Sequence, residues 1–580
     1  MNNWDACNTI NHFIQTLSTK SLDSANQSIE EITTLKDFFK SISKLKEFIE
    51  YTNKRLQIYE TFSTNDKSWG DVQTPQWFVN EIYKIISQLD FKPDVILEPT
   101  FGDGNFLLAS LAYFSNVKYL YGIEIQEKHI WNFLLQLIER IIVERKKLPV
   151  QIKIHHDDFF IHNFAEELLN DQTLKILIVG NPPWITNSEL SVLESNNLPK
   201  KSNRKGFKGL EALTGKSNFD ITEFIIANLI TTFSNHKCKI ALLCKESVIR
   251  NILKELYNHT YPLNNIRAIK FDAAEVFNKK CDAALFLADI DKESTCQTCI
   301  VSNFHNPFKI INKFGWVYGK FVSNIDRYNS IKDIDGYSSV VWRQGIKHDC
   351  AKVLELAQKD TDFLENKLGE RVIIENQLLY PLLKGSDLKD FEIKKTSRKL
   401  LLTQKTLKED VKNFNDLYPK TWQYLNNHLT YFQKRKSKVY QSGNRFSVFG
   451  VGEYSFQNYK VAIAGFYKRG KFVLVPPIDN KPVVFDDTCY YIGFDSYIDA
   501  LIYCTALNSE KINEFLKTIT FENSKRPFTK EILMRINTKK IIADLTFENI
   551  QDIWKQNKYN NRYDFTEEII LKRKLEIINQ

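Results

Sequence analysis

Seven short apolar runs recur through residues 71–290, at 94–97, 119–123, 151–154, 174–179, 239–243, 266–271 and 283–288. Amphipathic stretches lie between several of them. The clearest places Ile130, Phe133, Leu134, Leu137, Ile138, Ile141 and Ile142 on one helical face. A run apolar throughout suits a strand covered on both faces, and a helix with one apolar stripe suits the cover. The alternation therefore predicts an α/β fold around a mostly parallel, doubly wound sheet. Such sheets bind ligands beyond the carboxyl ends of their strands, and chemistry-bearing residues are to be sought there.

At 580 residues the chain exceeds one core, and 43% hydrophobic with 13% aromatic residues is ample for two large domains. Residues 1–70 read as a helical N-terminal arm. Its segment 29–62 carries Ile32, Leu35, Phe38, Phe39, Ile42, Leu45, Phe48 and Ile49 at three- and four-residue steps. Residues 71–300 form the candidate catalytic domain and 301–340 a transition. Residues 341–580 form a mixed α+β domain with strands expected at 459–464, 472–475 and 483–485. The net charge of +9 divides unevenly. Residues 301–580 hold 45 Lys and Arg against 33 Asp and Glu, whereas 1–300 hold 34 against 37. A near-neutral half joined to a basic half fits catalysis coupled to polyanion binding. The nine cysteines are scattered, with one Cys-x-x-Cys at Cys296 and Cys299, so a reducing compartment is expected and a zinc site is not. No hydrophobic signal region opens the sequence and no apolar run is long enough for a bilayer, which predicts a cytoplasmic protein without a membrane partner.

The strand ends carry the chemistry. Thr74-Pro75 is expected to open a helix, with Thr74 as its cap. After the first run comes Glu98-Pro99-Thr100-Phe101-Gly102-Asp103-Gly104-Asn105-Phe106, where Gly102 and Gly104 permit a tight bend close to a ligand. This is not G-x-G-x-x-G, and the acid before the turn suits a ligand with an amino group better than a pyrophosphate. Glu124 ends the second run, a position suited to two ribose hydroxyls. Asp157-Asp158-Phe159-Phe160 follows the third, pairing an acid with a ring. After the fourth run and Gly180 comes Asn181-Pro182-Pro183-Trp184. Asn181 offers a carbonyl oxygen to an amine hydrogen, Pro182 has a C=O without an N–H, and the indole gives a face on which a base can stack. The polar, basic interval 185–216, with Lys200, Lys201, Arg204, Lys205, Lys208, Lys216 and three glycines, predicts a loop over the site.

Together these motifs resemble those of gamma-class N6-adenine DNA methyltransferases of restriction–modification systems. The order matches: Thr-Pro, cofactor loop, Asn-Pro-Pro-aromatic, then recognition domain. Gly215-Lys216-Ser217-Asn218-Phe219-Asp220 resembles the family's segment closing the cofactor pocket, and Ala274-Glu275-Val276-Phe277 the one whose ring covers a flipped base. Leu378-Leu379-Tyr380-Pro381-Leu382-Leu383-Lys384-Gly385 looks like the opening of its specificity domain. Trp184 departs from the commoner Tyr or Phe. The resemblance implies a Rossmann-like methyltransferase domain followed by a DNA-recognition domain, S-adenosylmethionine as cofactor, double-stranded DNA as substrate, a companion restriction endonuclease and no metal. It also implies that Trp184 and Phe277 sandwich the extruded adenine while Asn181 and Pro182 accept its amine hydrogens, with Pro183 stiffening the turn. Thr74, Glu98, Gly102, Gly104, Glu124, Asp158 and Phe159 would hold the cofactor, Glu98 near its methionine end, with Asp157 an alternative to Asp158.

Residues 391–446 hold 13 Lys and Arg against 4 Asp and Glu, with Lys434, Arg435, Lys436 and Lys438 among Tyr424, Tyr431, Phe432 and Tyr440. Basic residues interleaved with rings suit phosphate contact. These four, with Lys200, Lys201 and Lys205, are the candidate DNA contacts. Competing readings are a protein-glutamine methyltransferase, an RNA N-methyltransferase, cytosine-N4 transfer and a non-catalytic DNA-binding subunit. Cytosine-C5 transfer is excluded, since no Pro-Cys pair supplies its nucleophile.

Overall fold

A computed structural model describes residues 3–57, 73–144, 150–185, 220–256, 261–292, 295–358, 363–406, 414–435, 437, 440, 445–467, 470–556 and 566–579. The chain divides into two compact units, Met1–Phe321 and Val322–Gln580. The second unit thus begins inside the segment expected as a transition.

The first unit is built on a ten-stranded sheet ordered β10-β9-β8-β6-β7-β5-β4-β1-β2-β3. All seven apolar runs are strands: β1 Val95–Glu98, β2 Tyr119–Glu124, β3 Gln151–His156, β4 Lys175–Gly180, β5 Lys237–Lys245, β6 Leu263–Asp272 and β7 Asp282–Ile290. The central ones have apolar centres because both faces are covered; β1 is buried along its whole length, its terminal Glu98 included. Strands β3, β2, β1, β4 and β5 run parallel, and β7 lies antiparallel between β5 and β6. Three strands absent from the sequence reading extend the sheet: β8 Thr298–Asn303, parallel to β6, then β9 Asn312–Val317 and β10 Lys320–Val322.

The arm is helical as expected, in α1 Asn3–Ser18, α2 Leu22–Thr33 and α3 Ile42–Gln57, with a turn between α2 and α3 inside the periodic segment. Thr34 and Asp37 take left-handed backbone angles, and the Asn26 amide both accepts from Phe39 N (2.8 Å) and donates to Phe39 O (2.9 Å). One buried side chain thus closes the turn that hydrophobic spacing alone would have run through. The arm joins the sheet's own core through Ile14, Leu45 and Phe48.

The helices that set the site are α4 Gln76–Ser87, α5 Asn105–Ser110, α6 Glu127–Glu144, α7 Glu166–Asn170, α8 Ile221–Thr232, α9 Glu246–Glu255 and α10 Ala273–Phe277. Thr74 does not cap α4. Pro75 is the cap residue, its carbonyl accepting from Phe78 N and Val79 N, while the Thr74 carbonyl is taken by Asn105 Nδ2 at 2.8 Å. Buried Thr74 therefore belongs to the loop below the helix.

The second unit holds a four-stranded sheet and a six-stranded sheet. The first contains β11 Arg343–Gln344, β17 Tyr459–Ala464, β18 Phe472–Val475 and β20 Cys489–Phe494, backed by the buried helix Tyr497–Leu507. The second contains β12 Glu355–Gln358, β13 Leu364–Asn366, β14 Arg371–Val372, β15 Leu379–Leu383, β16 Arg398–Leu401 and β19 Val484–Phe485. Most of these strands span two to four residues, and this unit is mixed α+β as expected.

Candidate active site

The loops after β1, β2, β3 and β4 converge on a pocket of about 990 Å³ that opens to solvent. Of the residues singled out as cofactor-binding, Thr74, Glu98, Gly102, Glu124, Asp158 and Phe159 line it, and of the tetrad Asn181 and Pro183 do. Gly104 sits just behind, at φ 79°, where a Cβ would lie 2.2 Å from Phe133. Only glycine lets the chain turn into α5 against that ring.

Hydrogen bonds fix the loop after β1. Glu124 accepts from Gly102 N (2.9 Å) and from Gln126 N (2.8 Å), one bond per carboxylate oxygen. Asp103, between the two glycines, accepts from His129 Nδ1 (2.7 Å) and Asn132 Nδ2 (2.8 Å) through one oxygen, and Gln136 donates to its carbonyl (2.9 Å). Asn132 in turn accepts from Tyr51 OH at 2.7 Å, so the arm reaches the loop through α6. None of Asp103, His129, Asn132 and Tyr51 was singled out from the sequence. The acid between two glycines was the hint that the sequence offered.

The two adjacent acids separate. Asp157 faces His162 Nδ1 at 2.8 Å and accepts from Asp158 N, while the His162 Nε2 is 2.8 Å from Tyr121 OH. Asp158 accepts from Phe160 N through Oδ1, which leaves Oδ2 without a partner among the described residues. Burial raises the Asp158 pKa, opposed by that N–H and reinforced by Asp157.

Glu98 is 2% exposed, and its Oε2 is buried with no partner among the described residues. Burial, with Glu124 adding to it, pushes its carboxyl well above the ordinary range against an opposing bond from Leu107 N. Its Cγ stands where a Cβ on Gly180 would come within 3.0 Å, and Gly180 takes φ 138°. That close approach brings the acid beside the start of the tetrad. Asn181 Oδ1 is itself buried.

The tetrad is tied down by its backbone and its indole. Trp184 Nε1 donates to Leu243 O (3.2 Å), Lys245 Nζ to Trp184 O (2.8 Å), and Thr222 Oγ1 to Pro183 O (2.9 Å). Lys245 also pairs with Asp220 (2.7 Å), which caps α8 through Thr222 N. Lys245 was missed in the sequence because it simply ends the apolar run of β5. The Trp184 ring turns away from the pocket towards Phe271 and Phe277. Trp184 and Phe277 meet edge to face, 5.3 Å between centroids at 85°, rather than as two parallel walls. Pro182 is buried.

In the second unit Lys434 is exposed, but Arg435 is not the surface cation expected. It is 8% exposed, donates to the carbonyls of Phe432, His348, Ser447 and Arg445, and lies 3.9 Å from the Tyr440 ring centre. A guanidinium so satisfied holds its own segment together and is not presented to a phosphate. Lys395 and Lys420 are exposed in the same basic region. Lys200, Lys201, Lys205, Lys436 and Lys438 lie outside the described residues, as do the 185–216 loop beyond Ile185 and the motif 215–220 before Asp220.

A mostly parallel sheet with β7 antiparallel between β5 and β6, and a pocket at the carboxyl ends of β1 to β4, define a Rossmann-like methyltransferase fold. The sequence is 38% identical over 467 residues to the Type II methyltransferase M.NspV of Nostoc sp., covering 80% of this chain and 95% of that relative. The chain belongs to the Type II methyltransferase family. No family model matches it. Among solved structures, the Type IIL restriction-modification enzyme MmeI in complex with DNA aligns over 96% of this chain and 77% of its own, at 12% identity and a TM-score of 0.48. The type IIG restriction endonuclease BpuSI aligns over 92% and 68%, at 13% identity and a TM-score of 0.31. At such scores the fold rests on the strand order itself.

Proposed function

We propose that this methyltransferase transfers a methyl group from S-adenosylmethionine to the N6 amine of an adenine extruded from double-stranded DNA, in the gamma-class arrangement of a restriction–modification system. The observation carrying this reading is the juxtaposition of Glu98, whose buried oxygen has no partner among the described residues, and Asn181 at the shared end of one pocket. The pocket's donor set fits the cofactor. Glu98 offers a carboxyl to an ammonium, Glu124 oxygens to ribose hydroxyls, Asp158 Oδ2 to an adenine amine, and Phe159 a ring beside it. When bound, the cofactor supplies an electrophilic methyl on a sulfonium.

The protein's share is positioning. Asn181 Oδ1 and the Pro182 carbonyl accept the two hydrogens of the target amine, which turns its lone pair towards the methyl. Lys245, Thr222 and the Leu243 carbonyl hold the tetrad while this happens. Phe277 swings off the edge of Trp184, and the extruded ring stacks between them. The unit Val322–Gln580, with exposed Lys395, Lys420 and Lys434, reads the duplex, and the methyl mark protects the host from a companion endonuclease of the same specificity. The test is label transfer from S-adenosylmethionine by the full chain to duplex DNA and to structured RNA. Label should enter DNA, and the reaction should weaken steeply between roughly 50 and 200 mM salt. Preference for RNA, or a flat salt response, would overturn the reading.

A further inference from the structure

The sheet's extension places a surface loop at the same edge as the tetrad. Strand β8 runs parallel to β6, paired from Arg267↔Ile300 to Lys270↔Asn303, so the residues after β8 emerge where α10 and Phe277 follow β6. Phe304, the first of them, donates its N–H to Lys270 O at 2.9 Å. Its ring lies 4.8 Å from Phe78 and 6.3 Å from Phe271, which is 6.1 Å from Phe277 and 6.5 Å from Trp184. A continuous patch of rings therefore runs from the tetrad to this loop.

Beyond Phe304 the loop turns its apolar side chains outward. Phe308 is 42%, Ile310 48% and Ile311 50% exposed. The turn is fastened by Ser302 Oγ to Pro307 O (2.7 Å) and Ile311 N to Val301 O (2.9 Å). Residues 304–313 include His305, Lys309 and Lys313 and no acidic residue. The Arg267 guanidinium lies 5.9 Å from the centre of the Phe308 ring. Exposed apolar residues rimmed by cations match a nucleic acid, whose bases accept the apolar side chains and whose phosphates accept the cations.

We propose that Phe308, backed by Ile310, is a wedge that packs against the DNA beside the extruded adenine and offsets the cost of unstacking it. This rests on the extrusion reading given above. A wedge matters only when the target must be pulled out of a base pair; opposite an abasic site most of that cost is gone. The test uses the full chain on its own target sequence, with the target adenine either paired or opposite an abasic site. Phe308→Ala should lower the single-turnover rate on the paired duplex by about tenfold, a loss matched to part of the few kcal/mol of unstacking. On the abasic-opposite duplex it should stay within about threefold of the parent. Phe308→Leu should restore most of the loss, and cofactor affinity should not move. Equal loss on both duplexes overturns the proposal as a general defect. No loss on either overturns it in favour of a protein partner or a second copy of the chain at this loop. If the parent binds the abasic-opposite duplex no tighter than the paired one, extrusion itself fails and the wedge falls with it.

Discussion

The two sides of the site are built from different materials. On the side proposed for the cofactor, the loops after β1 to β3 are held by directional bonds: Glu124 on two backbone N–H groups, Asp103 on His129 and Asn132, and Asp157 beside His162. On the side proposed for the target base, after β4, β6 and β8, the tetrad's backbone is anchored but the side chains meet as rings, with Trp184, Phe271, Phe277, Phe78 and Phe304 at mixed angles. Ring contacts are worth little individually and tolerate rotation, whereas a buried carboxylate that loses a donor is costly. Under the proposed function the contrast suits the two ligands: a cofactor of fixed shape would meet a wired pocket, and a base arriving from a duplex would meet rings that part to admit it.

Breaking the contrast at its centre should have the largest effect. Asn181→Ala should lower single-turnover methylation by about a hundredfold or more while the cofactor dissociation constant stays within about twofold. Normal turnover would remove the amine clamp. Next comes Glu98→Gln, expected to weaken cofactor binding by roughly tenfold or more through loss of a charge-assisted bond. The parent should also show a pH dependence that this variant lacks. The raised pKa leaves Glu98 protonated in the free protein above the usual carboxylate range, and an ammonium ligand binds its ionised form. Affinity should therefore rise with pH through that raised pKa and level off above it, with release of a proton seen as buffer-dependent heat in calorimetry. A parent profile as flat as the variant's would exclude Glu98 from the ammonium.

On the ring side, Phe277→Ala should weaken binding of target duplex by about tenfold, within the usual worth of one stacked base, and leave cofactor affinity unchanged. A change in cofactor affinity instead would mean that Phe277 serves the other half. The smallest effect is expected from Asn132→Ala. It unlinks Asp103 from the arm's Tyr51 and should raise the cofactor dissociation constant about threefold, one lost hydrogen bond, without altering the transfer rate of the bound complex. A fall in that rate would show that the arm reaches the chemistry as well as the loop.

Legibility in the sequence followed burial. The strands of the central sheet were readable because a strand covered on both faces has an apolar centre, as in Val95–Leu97 of β1 and Ile176–Val179 of β4. Strand β8 alternates buried and half-exposed residues near the sheet's margin, and most strands of the second unit are too short to show any period. The acids and the tetrad were visible because they stand at strand ends in chain order. The partners that orient them, Asn132, His162 and Lys245, come from other elements and carry no local signature. Arg435 fails for the same reason in reverse. A basic run gives no sign that one of its members turns inward to four carbonyls. Asn26 and the Pro75 cap are likewise products of tertiary contact, with Phe39 in one case and Asn105 against Thr74 in the other.

The most direct measurement is modified-base sequencing of DNA from cells making the full chain, alongside cells making Asn181→Ala. The expected result is N6-methyladenine at one recurring sequence in the first and none in the second. N4-methylcytosine, no modified base, or N6-methyladenine undiminished in the variant would contradict an adenine clamp at the end of β4.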